Sequence, residues 1–306
     1  MSPAEWSPGE GRRIVKKPQV IRAKGLGHPE GPYELDDGRV IYANTYASEI
    51  GVWDPKTGKQ GQYAFVGGGP NACMLGSDGA VYSTQTPNVG SWVAPVHRPP
   101  SIQKTLPNGK VEILVTEADG KKFDGPNDLS FGPDGRLYFT DSGDWNQADK
   151  PHPGRIVVIE KNGVARILEE LDHVYPNGIV VEKDGSIVWV ESYTLNVIRR
   201  KPDGSKSLLC KMPEGHIPDG LKIDEKGDFW ITAVAAGGVD HFSRDGRHVE
   251  FLETGGTILN CCFGKGGKLF CCDMGPFDTS GAAMTGNLIE VSLGVEGMPL
   301  FRGAIG

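Results

Sequence analysis

The sequence has no excess of positive charge, no long apolar run and no metal-binding spacing of cysteines, and each absence removes a class of function. Its 32 Lys and Arg against 39 Asp and Glu leave a formal net charge of −7. That charge repels a phosphate backbone, and the one basic run of note is Arg199-Arg200-Lys201, so no nucleic-acid partner is expected. No stretch nears the roughly 20 apolar residues of a membrane span, and no membrane partner is expected either. The polar opening from Met1 to Gln19 lacks the apolar middle of a signal peptide, which makes a cytoplasmic location the expectation. Six cysteines are present, four of them as Cys261-Cys262 and Cys271-Cys272, with no Cys-x-x-Cys pattern. Free thiols packed as small hydrophobes are therefore expected in place of a thiolate zinc site. No Gly-x-Ser-x-Gly elbow occurs, which argues against a serine nucleophile.

What is abundant is turn-forming residues: 44 Gly and 22 Pro are spread between short apolar runs, as in a chain of many short strands. A unit recurs six times: a polar anchor, an apolar run, a turn glycine, then a strand with an aromatic. The anchors are Glu30, Asn71, Asn127, Asn177 and Asp219, each followed eight residues later by Gly38, Gly79, Gly135, Gly185 or Gly227. In the sixth unit Asn260 precedes Gly267 by seven residues, so that copy carries a deletion or its anchor is Leu259. The strand aromatics are Tyr42, Tyr82, Tyr138, Trp189, Trp230 and Phe270. Asp-Gly pairs such as Asp134-Gly135 supply the positive φ of tight hairpins. Anchors recur at intervals of 41, 56, 50, 42 and 41 residues, the length of a four-stranded propeller blade. The expected fold is all-β, a six-bladed β-propeller spanning residues 19–306 as a single domain behind a polar tail, 1–18. Extra loop falls at 85–107 and 142–154, where insertions commonly carry binding residues.

In a propeller the innermost strands line the axis, so residues at equivalent positions converge on one opening. Asn and Asp also begin strands by making turns with their own backbone, a sufficient reading for any one anchor. It does not explain Glu30, or one register kept throughout. The set therefore points to a shared cation. Carboxylates and amide oxygens without histidine are hard ligands. Ca²⁺ is the first choice, with Mg²⁺, Mn²⁺, Zn²⁺ and Fe²⁺ as alternatives. An open coordination position would admit a substrate carbonyl.

The chain resembles the SMP-30, gluconolactonase and luciferin-regenerating-enzyme-like family of six-bladed propellers over about residues 20 to 295. The likeness rests on Glu30-Gly31-Pro32, on Gly125-Pro126-Asn127-Asp128-Leu129 with Pro133 to Asp141, on Tyr175-Pro176-Asn177-Gly178, and on Ile217-Pro218-Asp219-Gly220-Leu221. It implies a divalent cation held by Glu30, Asn177 and Asp219, with Asn127 as fourth ligand or substrate contact. It also implies that Asp219 is the base or nucleophile of a metal-dependent lactonase whose substrate is a small-molecule lactone. The tract Tyr138 to Trp145 resembles the sugar-lactonase branch, but Gly125-Pro126 stands where some of those enzymes place positive charge. Asn71, Asn127, Asp128, Tyr193 and His216 are the candidate substrate contacts, with His28, His173 and Trp145 near the expected mouth. Two other readings compete. One is a related hydrolase of phosphotriesters, or a lyase or cyclase on the same site. The other is a non-catalytic propeller with a structural calcium.

Overall fold

A computed structural model of the chain describes residues 13–143, 145, 153–277, 280–281 and 283–306. Six sheets, five of four strands and one of five, succeed one another around an axis, a six-bladed β-propeller in which each blade is built on four antiparallel strands. Their inner strands are Pro29–Glu34, Pro70–Leu75, Pro126–Phe131, Pro176–Val181, Pro218–Ile223 and Ile258–Gly264. Each inner strand packs on the next, and the sixth packs on the first, so the ring is closed. Closure is made within blade six, where Gln19–Leu26 from the start of the chain pairs antiparallel with Gly286–Ser292 from its end.

The repeat read in the sequence corresponds to one inner hairpin. The turn glycines of the repeat, Gly38, Gly79, Gly135, Gly185, Gly227 and Gly267, have φ between 71° and 90°, the left-handed region a β-carbon disfavours. In two blades the turn aspartate also holds the strand aromatic, since Asp78 accepts from Tyr82 Oη at 2.9 Å and Asp134 from Tyr138 Oη at 2.7 Å. The six repeat aromatics are each at most 3% exposed. Burial of one such side chain contributes about 1.5–3 kcal/mol, so they are the main apolar spacers between blades. All six cysteines are free and buried, and burial pushes their thiols far up, Cys261 and Cys210 to about 12.

Of the tail expected over 1–18, residues 1–12 lie outside the described residues, and Ile14–Val15 runs parallel beside His248–Glu253 as a fifth strand of blade five. The insertion at 85–107 holds a small hairpin, Asn88–Val89 with Trp92–Val93, and then the third strand of blade two, Ser101–Thr105. Most of the 142–154 insertion lies outside the described residues.

The two ends of the axis differ. At the end where inner strands finish, the C-terminal segment crosses the ring: Met298 N donates to Ile223 O, Ser77 N to Gly303 O and Gly306 N to Lys161 O. Leu300 of this segment closes the small chamber beneath the anchors. Among the described residues, no helix is long and apolar enough to cross a membrane.

Candidate functional site

Five anchors meet at the opposite end. Each is the second residue of its inner strand, after a proline, and the pairing register in the five blades is equivalent. The glycine after an anchor has a steric cause. A β-carbon on Gly178 would lie 2.4 Å from Asp219 O, and one on Gly220 2.3 Å from Asn260 Oδ1.

Hydroxyls in the second strands and just past their ends lock these anchors from blade to blade. Thr45, Thr86, Ser142 and Ser192 each lie fifteen residues after their own anchor (30 to 45, 71 to 86, 127 to 142, 177 to 192). They donate to the carbonyls of Pro70, Pro126, Pro176 and Pro218, the residues just before the next anchors. Two residues earlier, Thr84, Thr140 and Thr232 donate to the carbonyls of Asn127, Asn177 and Leu259 at 2.6, 2.8 and 2.7 Å. Each such bond contributes about 1 kcal/mol net, and together they fix the anchor backbones. Sequence reading missed this hydroxyl ladder, although its fixed offset from the anchors was a visible signal.

The anchors floor a cavity of ≈ 620 Å³, space open to solvent included, with Glu30, Asn71, Asn127, Asn177 and Asp219 at its base. Glu30, Asn71, Asn127 and Asn177 are buried. Asn71 Nδ2 donates to Asn127 Oδ1 at 3.1 Å, and Asn177 Nδ2 to Ser192 Oγ at 3.2 Å. The latter bond fixes the Asn177 amide, whose Oδ1 is buried and unpaired with any protein donor. Such an orphan acceptor costs about 1–3 kcal/mol unless something meets it. Burial first, and then the charge of Asp128, push the Glu30 carboxyl up to about 8, against the pull of Gly31 N–H, the Asn260 amide and Lys222. Burial, with Glu30 and Asp128, likewise raises Asp219 well above the usual carboxylate range. Two crowded carboxylates and an unpaired carbonyl oxygen are the donor set of a hard divalent cation, and the residues present fit one.

The sixth anchor is Leu259. Ile258 pairs with Asp273 as Pro218 does with Ala233, which puts Leu259 in the place of Asp219 and Asn260 one step beyond. Leu259 lines the cavity. Asn260 sits below with Asp128 and Lys222, its Nδ2 donating to Asp128 Oδ2 at 3.3 Å and its Oδ1 accepting from Lys222 at 3.3 Å. Asp128, expected as a substrate contact, thus lines the lower chamber and not the cavity. His216 is also elsewhere: it is buried in blade five, Nδ1 against Asp240 Oδ2 at 2.7 Å. Tyr193 stands behind the cavity wall, its Oη donating to the Trp145 carbonyl at 2.7 Å and its ring against Tyr175. Glu191, at the end of its strand, is buried and accepts from Thr194 Oγ1 at 2.6 Å. His28 does reach the cavity; burial lowers its imidazole to about 4, and Nδ1 is buried without a partner in the protein.

A second acidic group, Asp224, Asp228 and His241, lies in a turn of blade five. Its oxygens already accept from Trp230 Nε1 and from the backbone of Lys226 and Arg244, so turn formation accounts for it.

The family model described as the SMP-30/Gluconolactonase/LRE-like region matches residues 28–271. A gluconolactonase of Zymomonas mobilis is 26% identical over 293 residues, covering 83% of this chain and 78% of that protein. A calcium-binding regucalcin from Agrobacterium tumefaciens superposes with a TM-score of 0.76 at 17% identity, over 96% of this chain and 99% of that one. A gluconolactonase from Xanthomonas campestris gives a TM-score of 0.71 at 17% identity, over 89% of each.

Proposed function

Since the chain belongs to the SMP-30/gluconolactonase/LRE-like family, we propose that it hydrolyses a lactone in the cavity above the five anchors, with a divalent cation held by Glu30, Asn127, Asn177 and Asp219. The observation that carries this reading is the Asn177 Oδ1, buried and unpaired beside two carboxylates of raised pKa. Ca²⁺ is the first candidate for an all-oxygen donor set. When bound, the cation would supply Lewis-acid polarisation of the ring carbonyl.

The residues of the chain divide the remaining work. Asp219 takes the proton of the water that attacks the carbonyl carbon; the acyl C–O bond then breaks and Asp219 returns that proton to the departing ring oxygen, which becomes the hydroxyl of the open acid. Burial, with the charges of Glu30 and Asp128, raises Asp219 above the usual carboxylate range, and opposite charge nearby would return it to the ionised form that a base requires. Asn71 holds Asn127 and Ser192 holds Asn177, so the amide oxygens are oriented before substrate arrives. The aromatic walls of Trp145, Tyr175 and Phe277 limit the water that reaches the floor. The test is a lactone panel assayed with Ca²⁺ and after chelation. Hydrolysis that requires the cation is expected; hydrolysis of none of the panel under any divalent ion overturns the reading.

A further inference from the structure

The repeat is broken at two cavity-facing positions, both on the same side. Blades one to four carry Thr45, Thr86, Ser142 and Ser192 at the hydroxyl position, and blade five carries Val234 there. Blades one to five present an oxygen-bearing anchor, and blade six presents Leu259. Ile217, just ahead of Pro218, completes an apolar wall with Val234 and Leu259, and all three line the cavity together with Phe277. Of the hydroxyls among the lining residues, those of Thr86 and Ser192 give their protons to the carbonyls of Pro126 and Pro218 and offer a ligand only lone pairs. Among the described lining residues there is no Lys or Arg.

We propose, resting on the lactonase reading above, that the lactone taken by this site bears an apolar substituent, an alkyl chain or aryl ring, seated on the wall of Ile217, Val234 and Leu259. The polar floor then meets the ester end of the molecule while the substituent leaves water. A polyhydroxylated lactone would surrender water from several hydroxyls and find no donor on that wall to replace it. An alkyl group gains instead, each buried methylene being worth about a fourfold rise in kcat/KM.

The experiment measures kcat/KM with Ca²⁺ for δ-valerolactone, δ-octalactone, δ-decalactone, dihydrocoumarin and glucono-δ-lactone. δ-Octalactone is expected to exceed both δ-valerolactone and glucono-δ-lactone by about tenfold or more. In Val234→Thr, which restores the hydroxyl of blades one to four, the ratio of δ-octalactone to δ-valerolactone is expected to fall. A flat alkyl series, or glucono-δ-lactone as the best substrate, overturns the inference and leaves the lactonase reading standing. Hydrolysis of no lactone overturns both. An unchanged ratio in Val234→Thr removes that wall as the seat of the substituent.

Discussion

Asn71 reaches from blade two to blade three, its Nδ2 donating to the side chain of Asn127 at 3.1 Å and to the Asn127 carbonyl at 3.3 Å. The same Asn127 carbonyl accepts from Thr84 Oγ1 at 2.6 Å. The position of Asn127 is therefore determined by its neighbouring blade. Removal of a partner that orients a metal ligand typically lowers metal affinity about 10–100-fold. Asn71→Ala is expected to weaken divalent-ion binding by that range in calorimetric titration, and binding unchanged from wild type would refute the positioning role.

Glu30→Gln and Asn177→Ala are expected to lose the divalent ion outright, read by elemental analysis after dialysis. Full retention by both would sink the assignment. In the cation-free chain, the Glu30 carboxyl at about 8 has a raised pKa. Its protonated form supports the fold below the ordinary glutamate value, and that support is lost as pH rises through about 8. A cation must displace this proton, so apparent affinity should climb as pH rises toward 8 and level off above it.

Asp219→Asn keeps an oxygen in place while abolishing proton acceptance. A fall in kcat of about 10²–10⁴ with the cation retained is expected. Wild-type turnover with normal metal content would reduce Asp219 to a ligand.

Thr232 Oγ1 accepts from Gly220 N and donates to Leu259 O, both at 2.7 Å. Thr232→Val keeps the volume and leaves both backbone groups unpaired between blades five and six. A loss of about 1–3 kcal/mol is expected in urea unfolding; a change below measurement error would mean the ladder is ornamental.

His28 has its pKa depressed to about 4 by burial, so the folded state favours the neutral ring. Its contribution to stability is present above the ordinary histidine value near 6.5 and lost as pH falls toward 4. Asn tolerates the left-handed backbone that His28 adopts, φ 52°. His28→Asn should flatten the fall of Tm between pH 6.5 and 4, and an identical slope would show that the acid sensitivity arises elsewhere.

The fold was legible because one periodic pattern carries three independent signals, the anchor, the turn glycine and the aromatic, and all three belong to a single hairpin. The site was only partly legible. Asn260 is an amide at nearly the right spacing, but side chains alternate along a strand, and one step of register sends it below the floor while Leu259 faces the cavity. The same alternation separates Asp128 from its neighbour Asn127. His216 lies near Asp219 in sequence, yet its orientation follows from Asp240, a partner in another strand that spacing does not reveal. Trp145 and Phe277 enter the wall from loops, where no periodicity specifies a direction.

The pairing of Gln19–Leu26 with Gly286–Ser292 also bears on the birth of the molecule. At about 5–20 residues per second, translation takes roughly 13–52 s to travel from the first of these strands to the second. Through that interval the earlier strand has emerged and its permanent neighbour does not exist. An unpaired edge of eight residues invites pairing with other nascent chains, and charged side chains discourage it. The strand carries Arg22 and Lys24, placed where a growing polypeptide has most need of them.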